Sequence, residues 1–202
     1  MDPAWNDQTL AADHSVDGPA VDGLAWRMGE FAQQLHQERT EADVLARLAQ
    51  TAVDMIPGAQ EASISSMVRQ AMEPQCASGP LARRADELQV RLGQGPCFYV
   101  VADDPVVHVP DVATEARWPE FIARARDVGV GSMLSIRLFV ASDVLGTLNL
   151  YSTDTDAFDE DAVDVGVLVA AHAAVVLVET RESDQLRDAA SSRMSSGRPR
   201  GS

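Results

Sequence analysis

Lysine is missing from this chain of 202 residues: all 16 basic side chains are arginine, set against 31 carboxylates, for a formal net charge of -15. A surface this acidic repels polyanions, which makes nucleic acid and anionic membrane poor partners. Arginine serves almost any solvated position, so the missing lysine reflects codon usage more than chemistry. Cysteine is scarce, with only Cys76 and Cys97. No disulfide framework is expected, and both thiols should be reduced. Aromatic residues make up 5 % of the chain, so the core must be built from Ala, Val, Leu and Ile. The amino terminus has neither a basic start nor an apolar run, so no secretory signal is expected. The longest apolar stretch, 165–178, is rich in alanine, holds His172 and falls short of the roughly 20 residues that span a bilayer. These absences predict a cytoplasmic protein without a membrane span, and the length predicts one core.

The most informative segment is 131–152, GSMLSIRLFVASDVLGTLNLYS. Leu134, Ile136, Leu138 and Val140 alternate on one face, Asp143 marks a turn, and 145–151 forms the return strand. Gly146 in that strand allows close approach of another backbone or of a ligand. Upstream, 1–22 carries five aspartates and no positive charge and is expected to be a disordered acidic segment. Leu24, Met28, Phe31 and Leu35 then recur at helical spacing, and a second helix starts at Thr40 and stops at Pro57-Gly58. Residues 62–69 and 72–77 read as a hairpin, 81–92 as a charged helix ended by Gly93, and 106–109 as a short strand. A helix from Trp118-Pro119 runs to Asp127, and one long helix runs from Phe158 to about Arg187, its acidic first turn suiting the helix dipole. The expectation is an α+β domain over 23–188, with a flexible Arg/Ser/Gly-rich tail at 189–202. Its mostly antiparallel sheet has five or six strands, terminal helices on one face and a loop- and helix-covered pocket on the other.

Several segments appear together in this order: Ile56-Pro57-Gly58-Ala59, Gly93-Gln94-Gly95-Pro96-Cys97, Asp111-Val112-Ala113-Thr114, Arg117-Trp118-Pro119, 145–152 and Ala170-Ala171-His172-Ala173-Ala174. With them the chain resembles a GAF domain, the small-molecule sensing module of many signalling proteins. More narrowly, it resembles the sensor half of actinobacterial GAF-ANTAR antitermination regulators. In that family the last helix leads into an RNA-binding helical bundle. After Asp188 the chain runs only to Ser202, so the expectation is a sensor without that ANTAR module, and nucleic acid is not expected as a partner. A second group of similar proteins, the free methionine sulfoxide reductases, places a cysteine after a comparable glycine turn, which implies a Cys97-dependent enzyme as an alternative. An RNA-binding antitermination regulator with a degenerate output is the other alternative.

The 93–97 loop follows a helix and has no lysine, so it suits a turn better than a phosphate cradle. His14, His36, His108 and His172 are scattered without the spacing of a helical metal site, and no haem-ligand motif stands out. The paired aspartates sit in loops and helix starts, and no nucleophile elbow is present. The expectation is therefore a non-enzymatic regulator, with no catalytic or metal residues assigned and the cofactor unknown. Its candidate ligand residues are Cys97, Phe98, Tyr99, Trp118, Phe121, Ser135, Arg137, Asn149 and Tyr151. The resemblance also implies homodimerisation through the first and last helices, a regulatory protein partner and a role in transcriptional control.

Overall fold

Alternation over 134–138 and 147–151 of the two longest strands sets the layers of this fold. The computed structural model describes residues 40–68, 71–141 and 143–196, with 23, 26–30 and 33 before them. The expected acidic segment at 1–22, most of the expected helix at 24–35, and 197–202 lie outside the described residues; 26–30 are helical. In chain order the elements are α1 (Glu41–Met55), β1 (Glu61–Val68), β2 (Ala71–Ala77), α2 (Pro80–Leu92), α3 (Pro96–Ala102), β3 (Val106–Val109), α4 (Pro119–Asp127), β4 (Ser132–Val140), β5 (Asp143–Ser152) and α5 (Glu160–Ser196). The strands form one sheet in the order β2-β1-β5-β4-β3, and every neighbouring pair is antiparallel.

Local signals in the sequence account for most boundaries. The Thr40 hydroxyl accepts from the Asp43 backbone N–H at 3.1 Å and starts α1, which ends at Met55 just ahead of Pro57-Gly58. Gly93 ends α2 in the left-handed conformation, as its position predicts. Two elements differ from the sequence expectation. The 93–97 segment is not only a turn, because Pro96 occupies the first position of the short helix α3. The last helix runs on to Ser196, since Ala189 and Ala190 propagate a helix already nucleated on the core.

The two faces of the sheet carry different chemistry. On one, Ile64 of β1, Leu134 and Ile136 of β4, and Leu148 and Leu150 of β5 meet Leu48 and Ala52 of α1 and Ala170, Ala173 and Leu177 of α5. Small residues on α5 let its backbone lie close to the sheet. By length and composition 160–183 is apolar enough to cross a membrane; in the fold its Ala170, Ala173, Ala174 and Leu177 are buried in this core, while Val167, Leu168 and Val175 stay exposed. The opposite face is covered by α2, α3 and α4, where Leu81, Ala85, Val100, Val107, Phe121 and Met133 make a second, smaller core.

Gly146 joins the central strands. It pairs with Ser66 on one side and Leu138 on the other, at φ 155°. A Cβ there would sit 1.9 Å from the backbone oxygen of Ser65. Of the two approaches that a strand glycine permits, this one is made by backbone. Replacing Gly146 with alanine is expected to destabilise the domain by about 2–4 kcal/mol, because the clash is with backbone that cannot move aside. Urea unfolding checks this, and a loss within about 0.5 kcal/mol of zero would contradict the registered packing.

Candidate functional site

The face of the sheet under α2 and α3 carries polar residues where a core would ordinarily be apolar. Register places Ser63 of β1 opposite Asn149 of β5, and Asn149 opposite Ser135 of β4. The neighbouring rung is Ser65, Thr147 and Arg137. All but Arg137 are fully or almost fully buried. Two polar rungs are thus enclosed side by side, a costly arrangement unless the groups find partners.

Helix α2 supplies the centre of the cluster. Its residues Ala82, Ala85, Asp86 and Gln89 share one helical stripe and are all buried. The Tyr151 hydroxyl donates to Asp86 Oδ1, and the Asn149 amide approaches the same oxygen at 3.4 Å. Gln89 Nε2 donates to the Tyr151 hydroxyl oxygen at 3.0 Å, and Gln89 Oε1 accepts the backbone N–H of Cys97 at 3.0 Å. The Ser135 hydroxyl donates to Asn149 Oδ1 at 2.9 Å. The hydrogen bonds therefore run in one sense, from Cys97 N–H through Gln89 and Tyr151 to the Asp86 carboxylate. Gly95 makes room for this path, because a Cβ there would lie 2.4 Å from Gln89 Oε1.

Some groups in the cluster remain without partners. Asp86 Oδ2, Thr147 Oγ1 and Arg137 Nη2 are buried and make no hydrogen bond. Arg137 Nε donates to the Val100 carbonyl at 2.6 Å and so holds α3 to the sheet. Beside Asp86 a cleft of about 490 Å³ opens between β2 and α2, lined by Cys76, Ala77, Arg83, Asp86 and Glu87 among others. A second cavity of about 490 Å³ lies at the start of α5, beside His108 and Phe158.

Of the residues proposed from sequence, the fold brings Cys97, Ser135, Asn149 and Tyr151 into one network, with Arg137 on the adjoining rung. Tyr99 and Trp118 meet separately, edge to face at 5.8 Å, and the Arg117 guanidinium lies 4.5 Å from the Trp118 ring while pairing with Glu115. Trp118 and Phe121 pack in the second core, and Phe98 is half-buried. Sequence reasoning missed Ser63, Asp86 and Gln89. Asp86 and Gln89 stand in a helix whose overall charge suggests a solvated surface. The usable signal was their spacing from Ala82 and Ala85, which puts them on the inward stripe.

Electrostatics follow from burial. Loss of solvent raises the Asp86 carboxyl from 3.8 to about 6, against the lowering effect of the polar Ser63, Tyr151 and Asn149 side chains around it. Burial likewise pushes the Cys97 thiol well above its ordinary value, with the Asp86 charge adding to the effect. Cys76, whose thiol donates to the Leu45 carbonyl, is raised to about 11, again mainly by burial. Neither thiol favours the thiolate.

The Asp86 shift has a defined consequence for stability. Between about pH 4 and 6 the folded chain keeps a proton that the unfolded chain has released, so stability falls as pH rises through that window and levels off above it. The difference between 3.8 and about 6 corresponds to at most about 3 kcal/mol. Asp86→Asn removes the ionisation and should gain about 1–3 kcal/mol on the parent between pH 4 and pH 7.5, read from denaturation midpoints. Parallel stability curves for the two proteins would show that Asp86 bears no such cost.

Three comparisons bear on the family. A family model described as GAF domain matches residues 38–178. No curated protein matches the sequence. Among solved structures, the free methionine-R-sulfoxide reductase of Neisseria meningitidis, determined with its substrate, is similar with a TM-score of 0.64 at 17 % identity, over 86 % of this chain and 99 % of that one. The GAF domain of a phosphoenolpyruvate-protein phosphotransferase from Coxiella burnetii also reaches 0.64, at 15 % identity, over 83 % of this chain and 99 % of that one. The GAF domain of the cyanobacteriochrome TePixJ reaches 0.59 at 14 % identity, over 73 % and 94 %. Identities this low speak for the fold and not for shared chemistry. With the family model spanning both layers of helices and the whole sheet, this chain belongs to the GAF domain family.

Proposed function

We propose that this domain is a non-enzymatic sensor that binds a small molecule on the polar face of its sheet and passes the bound state to a partner through its terminal helices. The observation that carries this reading is the enclosed polar pair of rungs, with Asp86 Oδ2, Thr147 Oγ1 and Arg137 Nη2 lacking partners. Buried unpaired groups of this kind cost stability, and a ligand that satisfies them offsets the cost. Sensory and regulatory proteins are where GAF domains typically occur. The narrower likeness to the sensor half of antitermination regulators supports a role in cytoplasmic transcriptional control.

A relay path is supported by one ion-pair cluster. Arg181 of α5 pairs with Glu41 of α1 at 2.6 Å and donates to the Ser66 hydroxyl of β1 at 3.0 Å. β1 also carries Ser63 and Ser65, so a change on the polar face reaches α1 and the last helix through a single strand. Exposed Val167, Leu168 and Val175 on α5 give that signal an apolar surface through which to leave, and a second copy of this chain is the partner we assign to it. The reductase alternative asks for a reactive thiolate, which the raised pKa of Cys97 does not favour.

A thermal-shift screen of metabolites and cyclic nucleotides is the direct experiment. A ligand at 100 times its Kd is expected to add about 2.7 kcal/mol, and Asn149→Leu should abolish the shift. If no compound moves the transition, and protein purified from its own host has nothing in the pocket, ligand sensing is wrong. For the relay, sedimentation should show a dimer that Leu168→Glu and Val175→Glu together convert to monomer; a parent that is monomeric throughout rejects the second copy as partner.

A further inference from the structure

The cleft between β2 and α2 leads to the one carboxylate in the polar cluster, and its surroundings define what can fill it. Asp86 is 2 % exposed and lines the cleft. Its Oδ1 is committed to the Tyr151 hydroxyl and the Asn149 amide on the sheet side, whereas Oδ2 is buried and accepts nothing. Two nearby donors are already committed elsewhere. The Cys76 thiol, which shares the cleft, donates instead to the Leu45 carbonyl. The Gln89 amide is engaged with Tyr151.

Resting on the ligand-binding reading of the polar site, we propose that the ligand is a small organic monocation, an ammonium or guanidinium group on a short carbon chain, that enters between β2 and α2 and donates to Asp86 Oδ2. Charge complementarity argues for a cation over a neutral donor. The adjacent Glu87 puts a second carboxylate on the same cleft, and the chain as a whole is strongly negative, at -15. A carboxylate ligand would meet both acids. Arg83, one turn before Asp86, places positive charge on the same wall, so the ligand carries its charge at one end only. The opening of about 490 Å³ fits a molecule of this class, and Ala77 and Pro74 offer apolar surface to its chain. A charge-assisted hydrogen bond in this enclosed position replaces the missing partner of Oδ2 and compensates the buried charge in one step.

The test uses the full chain and ligand-observed NMR with four-carbon probes: butylamine and butylguanidine, with butanol, butyrate and the dication putrescine as controls. The two monocations should bind, and the neutral and anionic probes should not. Putrescine should bind less tightly than butylamine, because Arg83 repels its second charge. Asp86→Asn should weaken the monocations about tenfold or more while the protein stays folded, and Glu87→Gln should weaken them less. Cation binding unaffected by Asp86→Asn overturns the proposal. So does equal binding of butanol and butylamine. If the amines are silent while a neutral or anionic metabolite shifts the thermal transition, the cation is wrong and the sensor reading stands. Silence in both experiments removes both.

Discussion

A series of hydrogen bonds through three elements ends on one buried carboxylate, and the architecture around the site follows from the need to hold that series in place. Tyr151 and Asn149 come from β5, Gln89 from α2 itself, and Cys97 N–H opens α3. Each acceptor in this series is made a better donor by the next bond, so the network is worth more intact than as separate pairs. Its geometry explains why α2 ends with a left-handed glycine and why Gly95 follows at once: the chain must turn back toward Gln89 within a few residues. Without Asp86 at the end of the series, the Tyr151 hydroxyl would be enclosed with nothing to receive it, and the Asn149 amide would keep only the Ser63 hydroxyl at 3.5 Å.

That constraint divides the domain into two layers with different duties. The face packed on α1 and α5 is apolar, formed by Ile64, Leu134, Ile136, Leu148 and Leu150, and it supplies most of the burial that holds the fold. The other face gives up apolar contact for a buried polar network, which costs stability wherever its groups lack partners. Tyr151 belongs to both purposes, its ring packed in the second core and its hydroxyl inside the network. Arg137 ties α3 down through Val100, and Arg181 ties α5 to α1 and β1. Two arginines thus fasten the elements that a bound ligand would have to disturb.

Legibility differed sharply between the layers. The alternation Leu134, Ile136, Leu138 announced an inward face, and the acidic first turn at Glu160 announced the long closing helix. Ser135, Asn149 and Tyr151 could be picked out because polar residues interrupt an otherwise apolar hairpin. Asp86 and Gln89 could not be picked out by composition, since RRADELQVR looks solvated throughout and a charged residue on a helix is ordinarily exposed. α3 was hidden behind Gly-Gln-Gly-Pro, where the turn signals are genuine and the helix that follows is only seven residues long. Trp118 could have capped a pocket or anchored a helix, and neighbours distant in sequence, Tyr99 among them, placed its ring in the second core.

By itself, the sequence determined what depends on near neighbours: strand alternation, the caps at Thr40 and Gly93, the glycine in β5, and hence an α+β sheet with one face given to the terminal helices. Tertiary structure alone decided what depends on register and on contacts across the chain. Register set Ser63, Asn149 and Ser135 on one rung, although they come from three strands. Packing of α2 over that rung turned Asp86 inward, raised its affinity for a proton and left Oδ2 unpaired. The physical reason is range. Backbone propensity and capping act within a turn or two, whereas desolvation of a charge depends on every element that excludes water from it.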